Sequence, residues 1–371
     1  MVFAIALVLL VVGSVLFHFL SPWYLTELAS NWSTIDDTLD ITFWVTGTVF
    51  VVVNLFMAWC VWKFRHKEGA RAHYEPENKK LEIWLTVITS IGVAAMLTPG
   101  LYVWAKFVNP PENADIIEVV GKQWTWSYRF PGEDGVLGTA DTQHISGDNP
   151  FGMNPEDPNG QDDVLVSNSE VHIPIDRPLK MLLRSQDVIH DFAVAQFRVK
   201  MDMVPGVVTY LWFTPTKLGR YDVLCEELCG MGHYNMRGHV VVDEEPDFKD
   251  WLNSYPTYAQ TVSGIPVTAV PEGMSILEQG RMLAESKICL VCHSIDGSAS
   301  IGPTWQGMYG KTETLADGST VVVDEEYLIE SIVQPNAKIV KGYAPAMPPA
   351  VLTDEEMKAL ISYMKDLGQA K

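Results

Sequence analysis

Apolar positions along this chain follow two regimes. In the first third they run together: Val2–Leu20, Ile41–Trp62 and Ile83–Ala105 contain no Asp, Glu, Lys or Arg. At about 1.5 Å per helical residue, each run crosses a hydrocarbon core of about 30 Å. The pattern predicts transmembrane helices at 1–20, 41–62 and 82–106. The first run lacks the positive start of a secretory signal and exceeds the usual length of its apolar core, so it is read as a retained helix.

From residue 113 the pattern changes to short β-branched and aromatic runs. Ile116–Val120, Trp124–Phe130, Val171–Ile175, Lys180–Arg184, Val207–Phe213, Arg220–Leu224 and Gly238–Val242 are separated by Gly, Pro and Asp turns. An all-β domain over 113–252 is expected, an antiparallel sandwich or barrel. Residues 131–163 interrupt it as a long loop rich in Gly, Pro, Asn and Asp. Its alternating Asp157, Asn159, Gln161 and Asp163 suggest calcium, but the closing bidentate Glu of a hand-type loop is missing, and turn chemistry is the favoured reading. Residues 253–273 have three prolines and little charge, the signature of a semi-rigid linker. Helical spacing returns in 274–371, where Ser275 and Glu278 form a capping-box pattern. This last domain reads as small and all-α.

The net charge of −20 argues against nucleic acid as a partner, because such binders need a positive field. Its distribution also orients the chain. Ser21–Asp40 carries Glu27, Asp36, Asp37 and Asp40 but no Lys or Arg, whereas Lys63–Lys80 carries Lys63, Arg65, Lys67, Arg71, Lys79 and Lys80. The positive-inside rule puts the second loop in the cytoplasm and everything after the third helix outside, in contact with lipid only through the helices. From Asn109 onward there are 19 basic and 38 acidic residues, so nearly all the net charge lies on the exported part. An acidic surface there suits steering of a basic donor, and equally suits plain solubility.

The cysteines locate the chemistry. Cys60 falls in the second apolar run and reads as packing. The other four form two close pairs, a spacing more typical of metal or cofactor chemistry than of a disulfide. Cys289-Leu-Val-Cys292-His293 is the C-x-x-C-H pattern of covalent haem c attachment, with His293 placed to coordinate iron. Met347, in the Pro-rich segment before the final helix, is chosen for the opposite face over Met308, Met357 and Met364, which read as packing residues. The other pair opens Cys225-Glu-Glu-Leu-Cys229-Gly-Met-Gly-His233-Tyr-Asn-Met236. Two thiols, an imidazole and a thioether within twelve residues suit copper better than zinc. A second imidazole must come from elsewhere. His190 is the candidate, in preference to His144, His172 and His239.

These residues carry two resemblances. Residues 274–371 resemble monohaem cytochromes c, with Gly302-Pro303 at the place where that family's carbonyl orients the proximal histidine. Residues 38–243 resemble cytochrome c oxidase subunit II: Cys225, Glu227, Cys229, His233 and Met236 match its C-x-E-x-C-x-x-x-H-x-x-M motif, and Gly121–Tyr128 and Lys200–Gly206 match further segments. The resemblance implies a cupredoxin-like Greek-key domain carrying a binuclear CuA centre. By it, both thiolates bridge the coppers, His190 and His233 cap one copper each, Met236 is a weak axial ligand and Glu227 supplies its carbonyl. It further implies magnesium shared with subunit I through the Glu227 side chain, electron transfer by Trp124, and proton entry at Glu82, although Trp84 and Thr89 depart from the family's pattern around that glutamate. The extra N-terminal helix and the fused cytochrome c mark a variant architecture of the bacterial type.

The implied function is electron entry into a proton-translocating haem-copper oxidase of the bacterial inner membrane. Electrons from an external donor, a cytochrome c or a respiratory complex, pass through haem c and CuA to subunit I and its neighbouring subunits. Oxygen chemistry belongs to the partner chain. Two alternatives stay open: the same role beside a CuA-type nitric oxide reductase, and a membrane-anchored shuttle without a fixed partner. Nitrous oxide reductase needs a histidine-rich domain that nine histidines do not furnish.

Overall fold

The computed structural model describes residues 1–21, 25–69, 71, 76–146, 149, 151–262, 275–287, 289–347, 349–350 and 352–369. It divides into two compact units, 1–110 with 196–198, and 111–195 with 199–371.

The first unit holds three helices, α1 (Val2–Leu20), α2 (Ser33–Lys63) and α3 (Lys79–Phe107). All three are long and apolar enough to cross a membrane. Helix α2 starts eight residues before the apolar run that predicts it, taking in Asp36, Asp37 and Asp40. Acidic side chains are excluded from hydrocarbon but favoured at a helix N-terminus, where they offset the dipole. An apolar run therefore marks the span and not the helix. The Arg198 guanidinium fastens this acidic turn, its Nε lying 2.7 Å from Asp36 Oδ1 and its Nη2 2.6 Å from the Thr26 carbonyl. At the start of α3 the Asn78 side chain accepts from the Leu81 N–H, and Glu82 sits exposed in the first turn.

The second unit begins with ten strands: β1 (Asp115–Lys122), β2 (Thr125–Phe130), β3 (Val164–Val166), β4 (Glu170–Pro174), β5 (Leu179–Ser185), β6 (His190–Val194), β7 (Val199–Met203), β8 (Thr209–Phe213), β9 (Gly219–Cys225) and β10 (Arg237–Asp243). They form two five-stranded sheets, ordered β3-β2-β1-β5-β8 and β4-β10-β9-β6-β7. The expected sandwich is present, but it is not purely antiparallel. Strands β1 and β5 pair in parallel, as do β10 and β4. Between the sheets lie Trp126, Tyr128, Ile173, Met181, Phe192 and Phe213, all fully buried.

The 131–163 segment is anchored by a buried ionic cluster. Arg129 meets Glu118 at 2.6 Å and Asp163 at 2.7 Å. Asp163 also accepts from the Gly138 N–H, and Asp157 accepts from Thr139 and Asn159. Asp157 and the Oδ2 of Asp163 are occupied by protein donors, whereas Asp163 Oδ1 is buried without a hydrogen-bond partner among the described residues.

After β10 come α4 (Glu245–Asn253) and α5 (Tyr258–Val262). The front of the expected linker is thus folded against the β-domain. Tyr258 is buried, and its N–H donates to the Asp163 carbonyl. The remainder of the linker, 263–273, lies outside the described residues. The C-terminal part contains α6 (Ile276–Ser286), α7 (Cys289–Cys292), the hairpin β11 (Thr312–Thr314) and β12 (Thr320–Val322), α8 (Glu325–Val333) and α9 (Asp354–Gln369). The hairpin is a small departure from the all-helical expectation. Ser275 and Glu278 make the reciprocal bonds of a capping box at α6. Thr353 and Glu356 do the same at α9.

Helices α6 and α9 cross at Gly280. A Cβ there would lie 2.1 Å from the Ala359 carbonyl oxygen and 2.6 Å from Tyr363 Cβ. Because the first obstacle is backbone, the helices would have to separate. Gly280→Val is expected to destabilise this part by about 1–3 kcal/mol, read as earlier loss of helical signal on thermal unfolding. An unchanged midpoint would contradict the close crossing.

Candidate metal centre and haem-attachment site

The candidate metal-binding side chains converge from two strands and one loop. Strand β6 opens with His190 and β9 ends with Cys225, and these strands pair antiparallel, Phe192 opposite Cys225. The loop from β9 to β10 then carries Glu227, Cys229, His233 and Met236. Cys225 Sγ lies 3.6 Å from Cys229 Sγ. Both are free thiols, far beyond the roughly 2.05 Å of a disulfide. Around them stand His190 Nδ1 at 4.0 Å and the Glu227 carbonyl at 3.2 Å from Cys225, with His233 Nδ1 at 3.6 Å and Met236 Sδ at 3.8 Å from Cys229. His190, Cys225, Cys229 and Met236 are buried.

This donor set fits a pair of copper ions. Soft sulfurs and imidazoles select copper, and two thiols flanked on either side by an imidazole offer two equivalent positions. Burial pushes the Cys225 thiol up, but its contacts with His190 and with the backbone at Asp191 and Glu227 outweigh it and bring it down to about 6. Burial and the neighbouring Cys225 push Cys229 up to about 12. Two thiolates this close need cations between them to coexist.

Residues beneath the ligands complete the cradle. Asp187 Oδ1 is 2.8 Å from His190 Nε2 and its Oδ2 is 2.7 Å from the Gln123 backbone nitrogen. Burial raises the Asp187 carboxyl, but these bonds outweigh it and hold it below the usual carboxylate range. The Gln123 side chain and the Trp124 indole both donate to the Cys229 carbonyl, at 2.8 and 3.1 Å. Trp124 lies against the loop so closely that a Cβ on Gly232 would fall 2.3 Å from its ring. Trp126 meets the His190 ring edge-on at 6.3 Å.

In the C-terminal part, Cys289 and Cys292 occupy one turn of α7, so both thiols leave the same face. His293 Nδ1 is 2.7 Å from the Pro303 carbonyl. A carbonyl only accepts, so Nδ1 carries the proton and Nε2 presents a bare lone pair. Burial keeps this imidazole below its ordinary value, hence neutral. The ring stacks on Trp305, and a Cβ on Gly302 would stand 2.6 Å from it. Met347 packs on the same core as Cys289 and Leu290. Met308 and Met364 are buried members of that core. A neutral imidazole, two adjacent thiols and a thioether about one core fit covalently attached haem. On the copper loop, the Asn235 amide donates to the Val291 carbonyl of α7, bringing the two sites together.

Residues 116–244 match the model of cytochrome c oxidase subunit II, periplasmic domain, and residues 277–368 match that of cytochrome c. A relative from Bradyrhizobium diazoefficiens, named alternative cytochrome c oxidase subunit 2, is 57% identical over 259 residues, which span 70% of this chain and 94% of the relative. The chain belongs to the cytochrome c oxidase subunit II family. A cytochrome c oxidase subunit 2 from Alkalihalophilus pseudofirmus is 25% identical over 89% of this chain and 86% of its own length. Another, from Cereibacter sphaeroides, is 27% identical over 63% of this chain and 82% of its own.

As a subunit II with a cytochrome c domain, the chain is the membrane-anchored electron-entry subunit of an oxygen-reducing haem-copper oxidase and works with other oxidase subunits. The two family domains imply CuA copper and haem c. His144, His172 and His239 stand apart from the copper cradle; His172 pairs with Asp243, and His239 lies beside Arg220 and Asp222. Gln123 and Trp126 lie in the Gly121–Tyr128 segment that carries the resemblance, but the sequence assigns neither a role at the site. Asp187 is likewise given no role, although it stands three residues before His190.

Proposed function

We propose that subunit II receives electrons from an external donor, a cytochrome c or a respiratory complex, at haem c and delivers them by way of CuA to subunit I. Cys289, Cys292, His293 and Met347 would hold the haem. His190, Cys225, Cys229, His233, Met236 and the Glu227 carbonyl would hold the copper pair. Bound in these positions, the two groups supply one-electron carriers in series. The observation that carries this reading is the ring of imidazole, thioether and carbonyl donors at 3.2–4.0 Å around two thiols.

The protein's own residues do the rest. Strands β6 and β9 hold His190 and Cys225, and the Gln123 and Trp124 bonds to the Cys229 carbonyl brace the loop that carries the rest, so little reorganisation accompanies each electron. The Trp124 indole, bonded to the Cys229 carbonyl, provides a π-system directly against the copper loop. The exposed Glu227 side chain is free to face a magnesium ion at subunit I. Basic residues in 63–80 favour a cytoplasmic position for that loop, which puts both cofactor domains on the periplasmic side of a bacterial inner membrane. Glu82, at the cytoplasmic start of α3, then stands where protons enter. The relatives named above are oxidase subunits, which favours oxygen over nitric oxide as the terminal acceptor.

Metal analysis and electron paramagnetic resonance of the purified full chain test the reading. The expected result is a copper pair with a mixed-valence signal alongside covalent haem. A single copper ion without that signal would overturn the CuA assignment.

A further inference from the structure

We propose that Asp187 is a positioning residue that selects the nitrogen through which His190 binds copper and joins that ligand to the Trp124 side of the cradle. The inference rests on the copper reading above. An ionised carboxylate only accepts hydrogen bonds, so its 2.8 Å contact assigns the proton to His190 Nε2. Nδ1, the nitrogen facing Cys225, is thereby left with a free lone pair. A ring without this partner would divide between two tautomers, and one of them presents N–H to the metal.

The same carboxylate also reaches beyond the histidine. Its Oδ1 accepts from the Val188 N–H at 2.7 Å, which holds the carboxylate rigidly, and its Oδ2 accepts from the Gln123 N–H. Gln123 and Trp124 then bond the Cys229 carbonyl from the far side. The Asp187 side chain thus ties strand β6 to the β1–β2 turn, and that turn in turn bonds the copper loop. Packing leaves the His190 ring little choice of plane: Trp126 lies edge-on, and a Cβ at Gly121 would stand 3.2 Å from Cδ2. Packing fixes the plane but not the proton, which is the part left to Asp187.

Histidine ligands in metal sites commonly donate their second nitrogen in this way, and removing the acceptor costs roughly 10–100-fold in metal affinity. The test compares the full chain with its Asp187→Ala and Asp187→Asn variants. Copper affinity is read by chelator competition, and the His190 tautomer by nitrogen-15 resonance of the metal-free, histidine-labelled protein. Asp187→Ala should lose affinity in the range given above and show mixed tautomers. Asp187→Asn keeps an acceptor oxygen and should restore the Nε2–H tautomer and most of the affinity. An Asp187→Ala protein equal to wild type in both readouts overturns the inference. So does an Asp187→Asn protein as impaired as Asp187→Ala. A wild-type chain that binds no copper overturns the copper reading instead.

Discussion

Replacing Cys229 with serine is expected to abolish the mixed-valence copper signal while leaving haem c attached. Cys229 Sγ lies within 3.6–3.8 Å of Cys225, His233 and Met236, so its loss reaches half of the donor set. A serine oxygen is harder, shorter in reach and protonated at neutral pH, and it cannot bridge two soft ions. The remaining donors suit one copper at most. Loss of an outer partner alone costs up to about a hundredfold in affinity, so loss of a bridging ligand should lower oxygen uptake by the assembled complex on the order of a hundredfold or more. The residues proposed to hold haem c lie in the other domain, so haem c should become reduced and stay reduced under donor. Stopped-flow absorbance of haem c reads this stall. A Cys229→Ser complex that keeps the mixed-valence signal and its turnover would remove both thiolate bridging and the series order.

The ligand loop was legible in the sequence because its chemistry is local. Cys225 ends β9 and Cys229, His233 and Met236 follow on the next loop, so all four lie within twelve residues and no strand pairing is needed to see that their side chains converge. The C-x-x-C-H turn is legible for the same reason. His190 is a different case: it stands far upstream and reaches the cradle only because β6 pairs with β9. Its identification from sequence leaned on the family resemblance as well as on its setting before an apolar run. The Asp187–Gln123 bond is harder still, since it depends on the β1–β2 turn meeting the end of β5, which pairs with β1 in parallel. Alternation along a strand says which face is buried but not which strand lies beside it.

Other misses have separate causes. Strand β3 is only three residues long, too short to show an alternation. Strand β7 alternates clearly and could have been read. The early end assigned to the β-domain came from prolines and low charge after residue 253. Those features describe a segment that makes few local bonds, and Tyr258 shows that such a segment still docks when an aromatic side chain finds a pocket.

A variant with serine at both Cys289 and Cys292 should give the opposite pattern to Cys229→Ser. Both thiols leave one face of α7, and on the proposed reading each would form one thioether to the haem, so the double substitution should remove covalent attachment entirely. His293, oriented by Pro303, is then a lone axial ligand with no tether to keep haem in place. Haem staining of the denatured chain should be lost. The copper signal should persist, because its donors sit in β6, β9 and the loop that follows them. Oxygen uptake driven by the protein donor is expected to fall to background, whereas a small reductant able to reach copper directly should restore it. The two variants together decide the order of the carriers: Cys229→Ser traps electrons on haem c, and the double variant leaves copper competent but unfed. A double variant that consumes oxygen at the wild-type rate with its protein donor would mean that the donor reaches copper without haem c, making the fused domain a side branch.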